Sequence, residues 1–245
     1  RMVNPRHPAE WTVALGEGAE ILADMYSISR DEQDEFAVGS HQRAAAAWEA
    51  GRFDAEVVAP FGAELATDEC VRASSSVESL AKLKPVFRRD GGSVTAGNSS
   101  PMNDGAAALL LGDEAAVASS GRDPLARVVS RAVSGIEPHL YGAGPVIAAQ
   151  RALDRAGIGW GDLAVVELNE AFAAQSLACL AQWPELDRSI VNPNGGAIAI
   201  GHPIGASGAR IITTLAHELK RRGGRYGVAT MCIGVGQGIA VVLHA

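Results

Sequence analysis

The chain has 245 residues, 47% of them hydrophobic by type, enough to bury one large core or two modest ones. Its formal charge is -7 and its only basic run is Lys220, Arg221, Arg222; this excludes the cationic stripe that neutralises a phosphate backbone, and no nucleic-acid partner is expected. No apolar run reaches the roughly 18 residues that span a bilayer, and the opening Arg1-Met2-Val3-Asn4-Pro5 lacks a signal pattern, so a soluble, cytoplasmic protein with no membrane span is expected.

Taken in chain order, Glu17 to Ala50 reads as two helices. Ile21, Leu22 and Met25 recur at helical spacing, and Ser29 with Glu32 forms a capping box before the apolar face that starts at Phe36. From Gly51 to Gly92 the text is rich in Pro, Gly and Ser, with one short helix from about Val77 to Leu83, which predicts an irregular, surface-exposed subdomain. After Ser93 helices and strands alternate. A helix is expected over Asn103–Leu111, a strand near Leu125–Val133, a helix over Pro145–Ala156, a strand over Leu163–Leu168 and a helix over Ala171–Ala181. A glycine-rich loop, a helix over Ala206–Arg222 and strands over Tyr226–Met231 and Gly238–Leu243 complete the chain. This rhythm argues for an α/β fold whose sheet is covered on both faces, with a boundary near residue 122.

Three segments carry residue types that catalysis uses. In Val166-Glu167-Leu168-Asn169-Glu170-Ala171-Phe172-Ala173 a polar pair interrupts apolar text at a strand's carboxyl end, where α/β sheets form their sites. Asn169 fits either such a site or a helix cap, and Glu170 reads as ordering a neighbouring loop rather than as a base. The run from Asn192 to Arg210 is dense in glycine and opens a helix, so backbone amides can approach a ligand while His202 projects beside them. His202 reads equally as a hydrogen-bonded structural residue. The run lacks a Gly-Lys-Ser/Thr ending, which disfavours nucleotide hydrolysis. In Met231-Cys232-Ile233-Gly234-Val235-Gly236-Gln237-Gly238 a cysteine ends a strand before alternating glycines, and it fits inert packing or an acid/base or nucleophile role. The three cysteines, Cys70, Cys179 and Cys232, show no disulfide or metal spacing, so free thiols and no metal site are expected.

Together, Asn-Glu-Ala-Phe, the long Asn-x-Asn-Gly-Gly-Ala-Ile-Ala-x-Gly-His-Pro-x-Gly-Ala-Ser-Gly signature and the terminal Cys-x-Gly-x-Gly-x-Gly resemble the thiolase family. Similar text occurs at Ser29–Asp34, Leu80–Phe87 and Thr95–Gly105, so the resemblance covers nearly the whole chain. It implies a layered α-β-α architecture with one complete core half, residues 123–245, the end of the other half, residues 93–122, and a remnant of an inserted coenzyme A-binding loop subdomain, residues 1–92.

The implied activity is acyl-CoA C-acyltransfer, the reversible Claisen condensation or thiolysis of 3-ketoacyl-CoA through a cysteine acyl-enzyme. On this resemblance Cys232 is the acid/base cysteine and His202 activates the nucleophile and donates to the thioester oxygen. Asn169 holds a water in the same oxyanion hole, and the Gly234 amide joins a second one. Arg72, Ser79 and Ser100 contact coenzyme A, Ala171 and Phe172 line the pantetheine tunnel, and Leu15 and Tyr141 lie by the acyl pocket. Coenzyme A and acyl-CoA are then substrates, no cofactor is held permanently, and a homodimer or homotetramer is implied.

Some positions depart from the family pattern. The acyl-accepting cysteine belongs upstream of the segment matched by residues 1 to 30, and neither Cys70 nor Cys179 replaces it. Arg1 therefore reads as an artificial or proteolytic start, and the chain alone is expected to be inactive and to oligomerise, to take up a complementing fragment or to be poorly soluble. Leu15 and Tyr141 stand where the family often has Met, and Tyr141 would reshape the acyl pocket. Pro101 replaces a usual Gly, which removes a donor and stiffens its loop. Carrier-protein synthases, which pair a cysteine with two histidines, are disfavoured by the Asn-Glu-Ala-Phe segment and Cys232. A non-catalytic coenzyme A-binding or assembly subunit is the alternative from a different class.

Overall fold

The capping box at Ser29 forms as expected: the Ser29 side chain accepts from the Glu32 amide, and Glu32 accepts from the Ser29 amide at 2.7 Å. The computed structural model of the protein describes residues 7–59, 65 and 67–245; Arg1 and part of the Pro-, Gly- and Ser-rich stretch lie outside them. In chain order come α1 (Leu15–Met25), α2 (Arg30–Glu49), α3 (Val77–Leu80), α4 (Glu114–Ser120), β1 (Arg127–Gly135) and α5 (Gly144–Ala156). They are followed by β2 (Leu163–Leu168), α6 (Ala173–Ala181), α7 (Ala197–Ile200), α8 (Ser207–Arg222), β3 (Tyr226–Ile233) and β4 (Gln237–His244).

The strands form one sheet in the order β1-β4-β3-β2, with β1 and β3 antiparallel to β4 and β2 parallel to β3. Adjacent residues alternate between faces, as the strand period of two requires. Val166, Val228 and Val242 face α5 and α6, whereas Val165, Ala229 and Leu243 face α8. Leu153 on one side and Leu215 and Leu219 on the other are fully buried, and each such burial stabilises by about 2 kcal/mol. The expected two-sided cover therefore holds for β2, β3 and β4. It fails for β1, an edge strand whose Val129 and Val133 are exposed.

The helix expected over Asn103–Leu111 does not form. Residues 101–113 carry neither helix nor strand, and helix begins only where the Asp113 carboxylate accepts from the Ala116 amide at 2.8 Å. The run Ala106–Leu111 has no polar face, so its periodicity does not separate helix from strand, and the first good cap sets the start instead. The helix expected to reach Leu83 stops at Leu80, because the Arg30 guanidinium donates to the carbonyls of Leu80 and Leu83 at 2.6 and 3.1 Å.

Candidate active site

β2 delivers the first catalytic candidate by continuing its ladder past its last strand residue. The Asn169 amide donates to the Thr230 carbonyl at 3.0 Å, as the next rung of the parallel β2–β3 pairing. On the other side Asn192, at φ 45°, supplies a side chain that imitates a strand neighbour. Its Oδ1 accepts from the Leu168 amide and its Nδ2 donates to the Leu168 carbonyl, both at 2.8 Å. Asn tolerates that left-handed backbone better than most residues.

The fully buried Asn169 does not cap α6, whose N-cap is Phe172 without a side-chain bond. Its Nδ2 lies 3.4 Å from Nε2 of His202, and its Oδ1 has no partner among the described residues. A buried carbonyl oxygen left open is costly unless a water or ligand meets it.

Glu170, the next residue, turns the opposite way and orders the loop as its sequence context suggested. Its Oε2 accepts from Ser40 Oγ at 2.6 Å and from the Ile198 amide at 3.2 Å, and its Oε1 accepts from Asn192 Nδ2 at 2.8 Å. One carboxylate thus ties α2, the glycine-rich loop and α7 together. Gly196 is needed there because a Cβ would run into that carboxyl group.

His202 leaves the loop half-buried, with its backbone amide donating to the Pro101 carbonyl at 3.2 Å and its Nδ1 only 2.6 Å from Ser207 Oγ. Burial, and after it the nearby Arg210 charge, lower its pKa, which favours the neutral imidazole. Gly201 just before it takes φ 105°, closed to other residues, against the Asn103 side chain.

Cys232 is buried at the end of β3 in a cluster with Tyr141 and Ala171, with Phe172 packed against it. Burial pushes its thiol up to about 12, so it holds its proton at neutral pH. Gly234 opens the β3–β4 turn, where the β-branched Val235 adopts φ 68°, a strained conformation of the kind found at functional sites. Leu15 Cδ2 lies 3.8 Å from where a Gly234 Cβ would stand. The Tyr141 hydroxyl donates to the Leu15 carbonyl at 2.8 Å, and burial, then Cys232, raise its pKa well above the usual value. Cys232, Gly234, Tyr141 and Leu15 are therefore brought together, with Ala171 joining them to the end of β2.

Of the remaining candidates, Ser100 is joined to this centre: its amide and its hydroxyl both donate to the Ala171 carbonyl at 3.0 Å. Phe172 meets Phe87 edge-on at 6.1 Å. Arg72 and Ser79 are exposed; the Ser79 hydroxyl donates to the Ser76 carbonyl at 2.7 Å, within the cap of α3. Cys179 is buried, donates to the Gly142 carbonyl at 3.3 Å and has its pKa pushed far up by burial. Half-buried Cys70 is raised by burial and by Asp68.

Three residues with a hold on this centre escaped the sequence reading. Ser207 sits inside the glycine-rich signature, and its five-residue offset from His202 across a Pro-x-Gly turn is the signal that marks it. Glu167 and Arg210 approach to 3.6 Å beneath the site, and neither Glu167 oxygen has a hydrogen-bond partner among the described residues. Burial pushes the Glu167 carboxyl up to about 8, with Arg210 opposing without reversing it.

Comparison with known proteins gives a consistent answer. The thiolase C-terminal domain model matches residues 122–245 and the thiolase N-terminal domain model residues 7–115. The chain is 51% identical over 240 residues to an acetyl-CoA acetyltransferase of Shinella zoogloeoides, covering 94% of this chain and 60% of that protein. It is 50% identical over 248 residues to a 3-ketoacyl-CoA thiolase of Erwinia tasmaniensis, covering 98% of this chain and 64% of the relative. The human mitochondrial 3-ketoacyl-CoA thiolase solved in complex with CoA superposes with a TM-score of 0.87 at 43% identity, over 95% of this chain and 59% of that one. The chain thus spans about three fifths of the length of these proteins.

Proposed function

Since this chain belongs to the thiolase family, we propose that its residues perform acyl-CoA C-acyltransfer, with coenzyme A and 3-ketoacyl-CoA as substrates. The observation that carries this reading is the convergence of Asn169, His202 and Cys232 from three separate segments onto the ends of β2 and β3. In thiolysis, neutral His202 takes the proton of an acyl-accepting thiol through Nε2, and the thiolate attacks the 3-keto carbon. The Cα–Cβ bond breaks, and the departing enolate of acetyl-CoA takes the proton of Cys232, whose protonated state fits the acid role. The resulting Cys232 thiolate accepts the proton of incoming coenzyme A, whose sulfur takes the acyl group, and the released nucleophile thiolate recovers its proton from His202.

Asn169 and His202 serve as the polar groups of one oxyanion hole, and the open Oδ1 of Asn169 suits a held water. The Gly234 amide serves a second one. Ser100, Ala171 and Phe172 line the pantetheine path, with exposed Ser79 serving pantetheine or its neighbours and exposed Arg72 a phosphate of coenzyme A. Leu15 and Tyr141 bound the acyl pocket, where the Tyr141 ring narrows the space by Cys232. The acyl-accepting thiol is assigned to none of the three cysteines here. Cys179 is bonded to a carbonyl and Cys70 lies beside Asp68 and Glu69, so turnover is proposed for a polypeptide of the relatives' length, working as a homo-oligomer in the cytoplasm.

The test is thiolysis of acetoacetyl-CoA and longer 3-ketoacyl-CoA by this chain and by a version extended upstream. Activity is expected in the extended version alone, falling by about a hundredfold or more in Cys232→Ser and His202→Ala. Coenzyme A binding without turnover in either version would replace this reading with a non-catalytic subunit.

A further inference from the structure

We propose that Ser207 is a positioning residue that, together with the Asn169 amide, fixes the tautomer of neutral His202: Ser207 accepts from the single proton on Nδ1 while Asn169 Nδ2 faces a bare Nε2. What bare Nε2 then does rests on the thiolase reading; the tautomer itself does not.

With the Asn169 amide placed so that its Nδ2 faces the ring, one assignment is consistent. The Nδ2 group of Asn169 is a donor only, and it lies 3.4 Å from His202 Nε2, so it faces a nitrogen without a proton. A neutral imidazole carries one N–H, which must then sit on Nδ1, 2.6 Å from Ser207 Oγ, with the hydroxyl oxygen accepting. Both ends of this contact are held. Ser207 is 1% exposed at the first position of α8, and the His202 backbone is bonded to Pro101.

The choice of a hydroxyl has an electrostatic consequence. A carboxylate at this position would also accept from Nδ1–H, but its charge would favour the imidazolium and raise the pKa. Ser207 orients the ring without adding charge, while burial and the Arg210 guanidinium favour the neutral imidazole. The ring is thereby both aimed and uncharged, as a group that is to take a thiol proton through Nε2 must be. After that transfer both nitrogens carry protons, and Nδ1–H still donates to Ser207.

The experiment is nitrogen NMR of the full chain labelled with 15N-histidine, without substrate, at a pH above the histidine titrations; His202→Gln identifies the signal among the six histidines. The expected spectrum has His202 protonated on Nδ1. Ser207→Ala moves that proton to Nε2, the form free histidine favours in water, and Ser207→Thr retains Nδ1. A wild-type proton on Nε2 overturns the proposal whether or not any Ser207 variant folds, and so does a folded Ser207→Ala chain with an unchanged tautomer. In the polypeptide that turns over, Ser207→Ala lowers kcat about a hundredfold at unchanged KM; a loss confined to KM counts against the proposal. If neither polypeptide performs thiolysis while the tautomer is as stated, the thiolase reading falls and the Ser207 assignment stands.

Discussion

β2 and the run Ala106–Leu111 are both short and apolar, yet they end in opposite states. Residues Leu163–Leu168 have the β3 ladder on one side, Val191 and Asn192 on the other, and helices against both faces, and they are buried almost throughout. In the other run Leu110 is 96% exposed and no strand pairs with it among the described residues. Apolar composition supplies a tendency toward burial, but partners for the backbone N–H and C=O groups decide whether a strand results. The catalytic candidates gather where those partners exist.

The comparison breaks most severely at the loop that borders β2. Gly196→Ala drives a methyl group into the buried Glu170 carboxyl and the three hydrogen bonds it accepts. The expected cost is about 3 kcal/mol or more, read as a lower urea midpoint with the slope unchanged. A loss below about 0.5 kcal/mol would mean that the loop does not depend on that packing.

A smaller effect comes from Glu167 within β2 itself. Its folded-state pKa is raised by burial to about 8 from 4.5, so between these values the folded state binds more protons than the unfolded one. Stability therefore falls as pH rises through that window; Glu56, raised by burial to about 7, acts in the same sense. The melting temperature is expected to drop by several degrees, roughly 5 °C, from pH 5 to pH 9, and Glu167→Gln is expected to shrink that drop. An unchanged slope in the variant would place the titration elsewhere.

The smallest effect belongs to the exposed run. Leu110→Ser should shift stability by no more than about 0.5 kcal/mol, while binding of a hydrophobic dye and light scattering both fall, because the side chain is already in water. A large destabilisation would show that the run is covered in solution.

The same contrast explains what could be read in advance. The strands over 163–168, 226–231 and 238–243 and the helices over 145–156 and 206–222 lie within a few residues of their observed bounds, because each has a strong period and a good cap or turn beside it. The Asn103–Leu111 helix failed because six consecutive small or apolar side chains carry no period. At the centre, Asn169, His202 and Cys232 were visible as polar residues at strand ends and in a glycine-rich loop. Ser207, Glu167 and Arg210 were not, because what matters about them is a distance across the fold. The opposite turns of Asn169 and Glu170 were half legible, since Glu170 read as a loop organiser while Asn169 stayed open between cap and site.

The rung between the Asn169 amide and the Thr230 carbonyl also sets the centre's response to heat. A side chain carried on a free loop drifts a little farther with each degree, so its aim degrades gradually. Asn169 and Cys232 are instead carried on neighbouring rows of one hydrogen-bonded lattice, and the spacing of their backbones is the repeat of that lattice. Their thermal jitter is that of the sheet, and their alignment is lost in the same cooperative event that opens it.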